Sequence, residues 1–256
     1  MSGCLYSFDG EFYHPNPITG GPWSPDAQHG GPVAALLAGV LEAERHSTLV
    51  RMTVELLRPV PLAPLTITRS VVKSGRTVTL IDASLNADGI EVAKARGLNL
   101  RKSTVRVPPR KRVPQPRIPP GAATSTGKIR TAFAQAVEMR FVEGSWDELG
   151  PATLWTRLNV AVVDGEPVTA MQRVAAAADF ANGVSRVLDF ETHTFINADL
   201  TVALARTPSE DWVGFEMTSN VSEDGFGQAE SRIFDSAGTL GRSLQSLVIT
   251  EAEQRV

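Results

Sequence analysis

The segment Gly30-Gly-Pro-Val-Ala-Ala-Leu-Leu-Ala-Gly-Val-Leu-Glu-Ala-Glu-Arg45 is apolar on nearly every face until Glu42. Pro32 sits where the first turn of a helix tolerates proline. A helix without a polar stripe is one buried on most sides, not one lying on a surface. Strand patterns follow it, at about 49–58, 64–73, 76–86 and 90–100. Leu65-Thr-Ile-Thr-Arg-Ser-Val alternates with period two, so one face of its sheet is covered. Asp88-Gly89 is a turn dipeptide that joins antiparallel neighbours. The expectation is a buried helix with an antiparallel meander wrapped around it.

The second half repeats this plan. Thr53-Val-Glu-Leu-Leu-Arg-Pro59 answers to Thr201-Val-Ala-Leu-Ala-Arg-Thr-Pro208, 148 positions later. Gly75-Arg-Thr-Val-Thr79 answers to Gly225-Phe-Gly-Gln-Ala229 at an offset of 150, and Ala87-Asp-Gly89 to Ser236-Ala-Gly238 at 149. A second apolar helix is predicted over Met171 to Leu188, with strands at 195–206, 211–221, 226–235 and 239–250. The fold class expected is α+β, a double hotdog: two antiparallel sheets, each wrapped around a central apolar helix. Joining the sheets edge to edge would protect their open edges.

Between Glu91 and Glu138 there is no acidic residue but eleven basic ones, so the rest of the chain sums to −14 against a net charge of −3. Six prolines in Val107 to Pro120 remove backbone donors and exclude a helix or central strand there. The domain organisation expected is a hotdog over 1–105, a Pro/Arg-rich linker over 106–128, and a second hotdog over 129–256. The linker reads as solvated, or as placing Arg110, Lys111 and Arg112 to attract a phosphate-bearing ligand. No aromatic residue interleaves these charges, so no nucleic-acid partner is expected.

At 256 residues, 42% hydrophobic and 21% charged, the chain has a globular composition, which excludes disordered and fibrous classes. A single cysteine, Cys4, excludes a disulfide framework and suits a reducing cytoplasm. No secretory leader and no apolar run of about 20 residues is visible, so no membrane partner is expected.

The sequence resembles the thioesterase-like superfamily, the double-hotdog acyl-CoA thioesterases related to bacterial acyl-CoA thioesterase II. The residues carrying the resemblance are Gly30-Gly31, Arg51-Met-Thr-Val-Glu-Leu-Leu-Arg-Pro59, Ala178-Asp179-Phe-Ala-Asn-Gly183, Asn197-Ala-Asp-Leu-Thr-Val202 and Leu244-Gln245. The resemblance implies an acyl-CoA substrate, thioester hydrolysis without cofactor or metal, and assembly as a homo-oligomer. It also implies a water held by an Asp, a Thr and a Gln. Asp179 matches the first and Gln245 the third. Asn197 stands at the second, a departure from Thr, with Thr201 four residues on as a substitute.

Asp179 is singled out independently, because an alanine-rich apolar helix carries it. It reads either as a packing carboxylate that meets a backbone donor or as a base acting on water. Gln28-His29-Gly30-Gly31 opens the first helix, where Gly30 or Gly31 would offer a backbone N–H to a thioester carbonyl. His29, Gly30 and Gly31 are therefore expected to bind substrate, while Arg101, Lys102 and the linker are expected near the CoA phosphates. There is no G-x-S-x-G elbow. The hydratase pattern D-x-N-x-x-H fails after Asp179, since Asn182 falls one position late and no histidine follows. The rival to hydrolysis is a non-hydrolytic acyl-CoA or acyl-lipid binding protein.

Overall fold

The computed structural model describes residues 3–43, 46–108, 114–118 and 131–252. In chain order the first half contains β1 (Cys4–Phe8), β2 (Tyr13–Pro15), α1 (Gly30–Leu41), β3 (Ser47–Leu56), β4 (Leu65–Ser74), β5 (Val78–Ala87) and β6 (Ile90–Arg101). The second half contains β7 (Val137–Glu143), β8 (Ala152–Leu158), β9 (Ala161–Val163), α2 (Ala170–Ala178), α3 (Ala181–Val184), β10 (His193–Asn197), β11 (Asp199–Leu204), β12 (Val213–Val221), β13 (Phe226–Asp235) and β14 (Gly238–Glu251).

Among the described residues all fourteen strands belong to one continuous sheet, where the sequence led us to expect two. Its order is β7-β8-β12-β13-β14-β11-β3-β6-β5-β4-β2-β1-β9, with β10 also on β14. The first half thus reads β2-β4-β5-β6-β3 and the second repeats that order as β8-β12-β13-β14-β11. The halves meet where β3 and β11 pair antiparallel, with Thr201 opposite Thr53 and their Oγ1 atoms 3.0 Å apart. The two residues that headed the sequence repeat therefore face each other on the approximate twofold axis. Pairing the two edges removes two unsatisfied strand edges at once. A second tie departs from the antiparallel pattern: β9 of the second half pairs parallel with β1 of the first.

Helix α1 is buried along Gly31–Ala38 and at Leu41, as its unbroken apolar composition requires. It runs antiparallel to α2, with Gly31 beside Ala176 and Gly39 beside Gln172. A capping box starts α2: Thr169 Oγ1 accepts from the Gln172 N–H (3.2 Å), and Gln172 Oε1 accepts from the Thr169 N–H (2.9 Å). The Asp88-Gly89 turn has φ of 48° and 74°, left-handed at both positions, as a tight hairpin demands.

Two predicted elements are interrupted. The second helix stops at Ala178 and resumes as the single turn α3. In a continuous helix the Asn182 N–H would bond Ala178; instead it donates to Gln245 Oε1 at 3.2 Å. The predicted strand 195–206 breaks at Ala198. Asn197 faces Leu247 and Thr201 faces Leu244, so four steps on this strand oppose three on β14, which inserts one extra residue. Such a bulge reverses the alternation beyond it. Asn197 points inward, whereas Thr201 meets Thr53 on the sheet's other face.

Within the linker, Arg110, Lys111, Arg112 and Lys128 lie outside the described residues. Gln115 is described, and its Oε1 accepts from Arg232 Nη1 at 2.9 Å, so this part rests on β13. Among the described residues no helix is long and apolar enough to cross a membrane.

Asp235, wholly buried at the end of β13, holds one corner of the second half. Burial pushes its carboxyl up, but the Arg206 guanidinium and the Ser209 and Ala237 N–H groups outweigh that and bring it to about 2. The folded value lies below the ordinary carboxylate value, so this stabilisation is complete above about pH 4 and disappears as the pH falls toward 2. Asp235→Asn is expected to cost about 2 kcal/mol at pH 7, since Arg206 keeps partial access to water. Urea unfolding checks this, and the gap to wild type should narrow at pH 3.

Candidate active site

The N-terminus of α1 and the C-terminus of α2 meet, because the helices are antiparallel. Asp179, 2% exposed, is the residue capping α2, and it sits directly against Gly30. A Cβ on Gly30 would stand 2.7 to 3.0 Å from all three carboxylate atoms, so only glycine leaves room for the carboxylate. Gly31 is more confined still, its Cβ position lying 2.6 Å from the Ala176 carbonyl oxygen and 2.6 Å from the Phe133 ring. The positive end of the α1 dipole therefore faces a carboxylate.

Three side chains from distant parts of the chain converge on Asp179. Asn197 Nδ2 donates to Oδ1 at 2.8 Å, and Gln245 Nε2 donates to the same oxygen at 3.1 Å. His29 Nδ1 lies 2.8 Å from Oδ2. Each member is buried, with Gln245 wholly so. The bulge at Ala198 turns Asn197 inward, and the break between α2 and α3 frees the Asn182 N–H to hold Gln245 Oε1. The same two irregularities that interrupt the predicted elements build the cluster.

His29 is fixed as firmly as its partner. Its backbone N–H donates to the Thr19 carbonyl at 2.8 Å, and its ring packs on Phe133 and Phe180 with centroids 5.2 and 4.7 Å away. Nδ1 also lies 3.1 Å from the Gly31 N–H, the cap of α1.

A cavity of about 790 Å³ opens onto the cluster. His29, Gly30, Asp179 and Asn197 line it, whereas Gln245, Gly31 and Thr201 do not. Most of the remaining wall is apolar or aromatic, including Trp23, Val33, Leu56, Val60, Trp146 and Phe180. Arg186 is also on the wall, but its Nη1 donates to the Trp146 carbonyl at 2.7 Å and its guanidinium lies 5.0 Å from the Phe190 ring centroid. Among the described residues no group of three or more His, Cys, Asp or Glu side chains is gathered as a metal site would need.

The structure brings Asp179, Asn197 and Gln245 into hydrogen-bond contact. It adds His29, placed in the sequence reading with the substrate-binding turn, to the carboxylate itself. It removes Thr201 as a substitute for Asn197, because the bulge turns it to the other face. Arg101 pairs with Ser47, at the opposite end of β3 from the cavity-lining Leu56. Arg101, and Lys102 next to it, do not line the cavity. The pairing of His29 with Asp179 had one sequence signal: the repeat offset of 149 maps 29 onto 178.

The chain matches the family model described as acyl-CoA thioesterase N-terminal domain over residues 19–100, and that described as acyl-CoA thioesterase C-terminal domain over residues 109–249. A search of curated protein sequences finds no match. Among solved structures, the chain is similar to a protein of unknown function with the hot dog fold from Alicyclobacillus acidocaldarius (TM-score 0.74, 17% identity, covering 97% of each chain). It is also similar to acyl-CoA thioesterase II TesB2 from Mycobacterium marinum (TM-score 0.67, 14% identity, 94% of this chain and 98% of that one). The tesB protein of Mycobacterium avium subsp. paratuberculosis gives a TM-score of 0.66 at 16% identity, over 96% and 95% of the two chains. These likenesses establish the hotdog fold.

Gly31→Ala tests the packing that places the cluster. Its Cβ meets a backbone oxygen and a buried ring, neither of which can yield cheaply. The expected cost is about 2 kcal/mol, read by calorimetry as a Tm drop of about 6 °C at this chain length.

Proposed function

The chain belongs to the acyl-CoA thioesterase family, and we propose that it hydrolyses an acyl-CoA thioester to the free acid and CoA in the cavity beside Asp179. One observation carries the reading: a buried carboxylate, held by Asn197, Gln245 and His29, borders an apolar cavity of about 790 Å³. That volume suits a ligand of acyl-chain size, with polar groups such as Gln28, Arg58 and Thr131 on the wall to orient it. The reading keeps the double hotdog, with units over 1–105 and 129–256 joined by 106–128.

A thioester asks little of its catalyst, because its carbonyl is electrophilic and its leaving thiolate is stable. It needs a water stripped of a proton and a donor for the carbonyl oxygen. Asp179 supplies the negative charge that favours the first. Asn197 and Gln245 both act on its Oδ1: Asn197 reaches the cavity and also meets the water, while Gln245 fixes the carboxylate. Gly30 at the start of α1 offers its N–H, backed by the helix dipole, to the carbonyl. The acyl chain occupies the wall formed by Val33, Leu56, Val60 and Phe180, and the exposed Arg58 meets a CoA phosphate. In a site with this wall, Asn at position 197 keeps a donor for the carboxylate where the family pattern has a hydroxyl.

Thiol release from short, medium, long and aromatic acyl-CoAs tests the activity, with Asp179→Asn as the paired variant. Turnover by the wild type that falls at least about 100-fold in the variant is expected. Binding of acyl-CoA without release by the wild type would replace hydrolysis with the binding-protein reading. Gly30→Ala provides a graded test, since its Cβ pushes the carboxylate without touching backbone. Displacement of a reacting group by about 1 Å costs up to about 100-fold, so kcat should fall while the far-UV circular dichroism spectrum stays unchanged.

A further inference from the structure

Two atoms in the cluster have incompatible demands unless a proton lies between them. His29 Nδ1 and Asp179 Oδ2 stand 2.8 Å apart. A carboxylate oxygen is an acceptor, and so is an imidazole nitrogen without a proton. At that distance the proton rests on one of the two and is offered to the other. The neighbouring Gly31 N–H, 3.1 Å from Nδ1, prefers the ring nitrogen unprotonated. A carboxylate that faces the positive end of α1 takes charge-assisted hydrogen bonds from donors, and those contacts are the stronger kind.

We propose that His29 is the catalytic base of this site, with Asp179 holding the proton on Nδ1 so that Nε2 presents its lone pair to the cavity. The inference rests on the hydrolase reading and assigns the proton transfer within it. Asp179 is poorly placed to take that proton itself. Two amide donors already occupy its Oδ1, the His29 ring stands against its Oδ2, and it is 2% exposed. By contrast, the His29 ring lines the cavity, and among the described residues Nε2 has no hydrogen-bond partner and is not sealed in the core. The ring cannot swing away, because Phe133 and Phe180 pack on it and its backbone N–H is tied to Thr19.

The step balances without a further reactant. The water oxygen bonds to the thioester carbon as its proton passes to Nε2. The C–S bond then breaks with its electron pair on sulfur, and the Nε2 proton passes to that thiolate. Throughout, Nδ1–H stays against Asp179, which stabilises the imidazolium that forms between the two transfers. A carboxylate from one half and an imidazole from the other make a pair that neither half contains alone.

The experiment uses the full chain and the acyl-CoA that the wild type turns over fastest. His29→Gln, which can still donate to Asp179, should keep KM within about threefold and lose at least about 100-fold in kcat. His29→Ala opens a ring-sized gap between Phe133 and Phe180. Added imidazole should restore its kcat at least about tenfold, saturably, and should restore nothing once Asp179→Asn is added. Nitrogen-15 NMR of the wild type should show the tautomer protonated at Nδ1, a readout that depends on no variant folding. A His29→Gln kcat within threefold of wild type, with Asp179→Asn still inactive, would overturn the relay and leave hydrolysis standing. Loss in His29→Ala without imidazole rescue, or an Nε2-protonated tautomer, would overturn it equally. No thiol release by the wild type from any acyl-CoA would remove the hydrolase reading and this inference with it.

Discussion

A carboxylate buried between two helices is the constraint on which the rest of this molecule turns. An unpaired charge in such a place costs several kcal/mol, and Asp179 meets that cost with donors drawn from residues 29, 197 and 245. Those residues come from the head of α1, the end of β10 and the middle of β14. Holding all three in reach demands that α1 and α2 lie side by side, that a strand bulge at Ala198, and that a helix break after Ala178. The glycines at 30 and 31 then follow, since any larger residue would collide with the carboxylate or with the opposing helix.

The approximate twofold axis through Thr53 and Thr201 relates two halves of equal strand order but unequal chemistry. Near the corresponding position one half carries histidine and the other aspartate, so the site is made by the difference between the repeats. The first helix contributes its N-terminus with positive dipole and glycines, and the second contributes its C-terminus with the acid. Antiparallel packing brings these ends together. A single half would have an acid without its imidazole, or an imidazole without its acid.

Much of the fold is legible in the residues because its signals are local. The unbroken apolar run after Gly30 means burial whatever surrounds it; period-two alternation marks β4 as a strand, but no face of it is covered beyond Ile67, where Val71 and Val72 are both exposed. Asp88-Gly89 sets a left-handed turn by its own backbone preferences. Two predicted elements, a helix through Leu188 and a strand through 195–206, are interrupted for the same kind of reason. In each, a backbone partner was taken by something remote: the Asn182 N–H by Gln245, and Ala198 by Ser246 and Leu56 on its two sides. Propensity within a window does not register a competitor more than forty residues away.

The sequence by itself determined the two buried helices, the strands that follow them, the duplication and the isolated acid at 179, because each rests on periodicity, turn chemistry or the repeat offset. Only the tertiary structure decided that the strands close into one sheet, that Thr201 turns away while Asn197 turns in, and that His29 touches Asp179. Those outcomes depend on register and on the approach of two helix ends. A one-residue shift in pairing reverses a side chain's face, and a contact across 150 positions is set by packing that no short stretch of chain encodes.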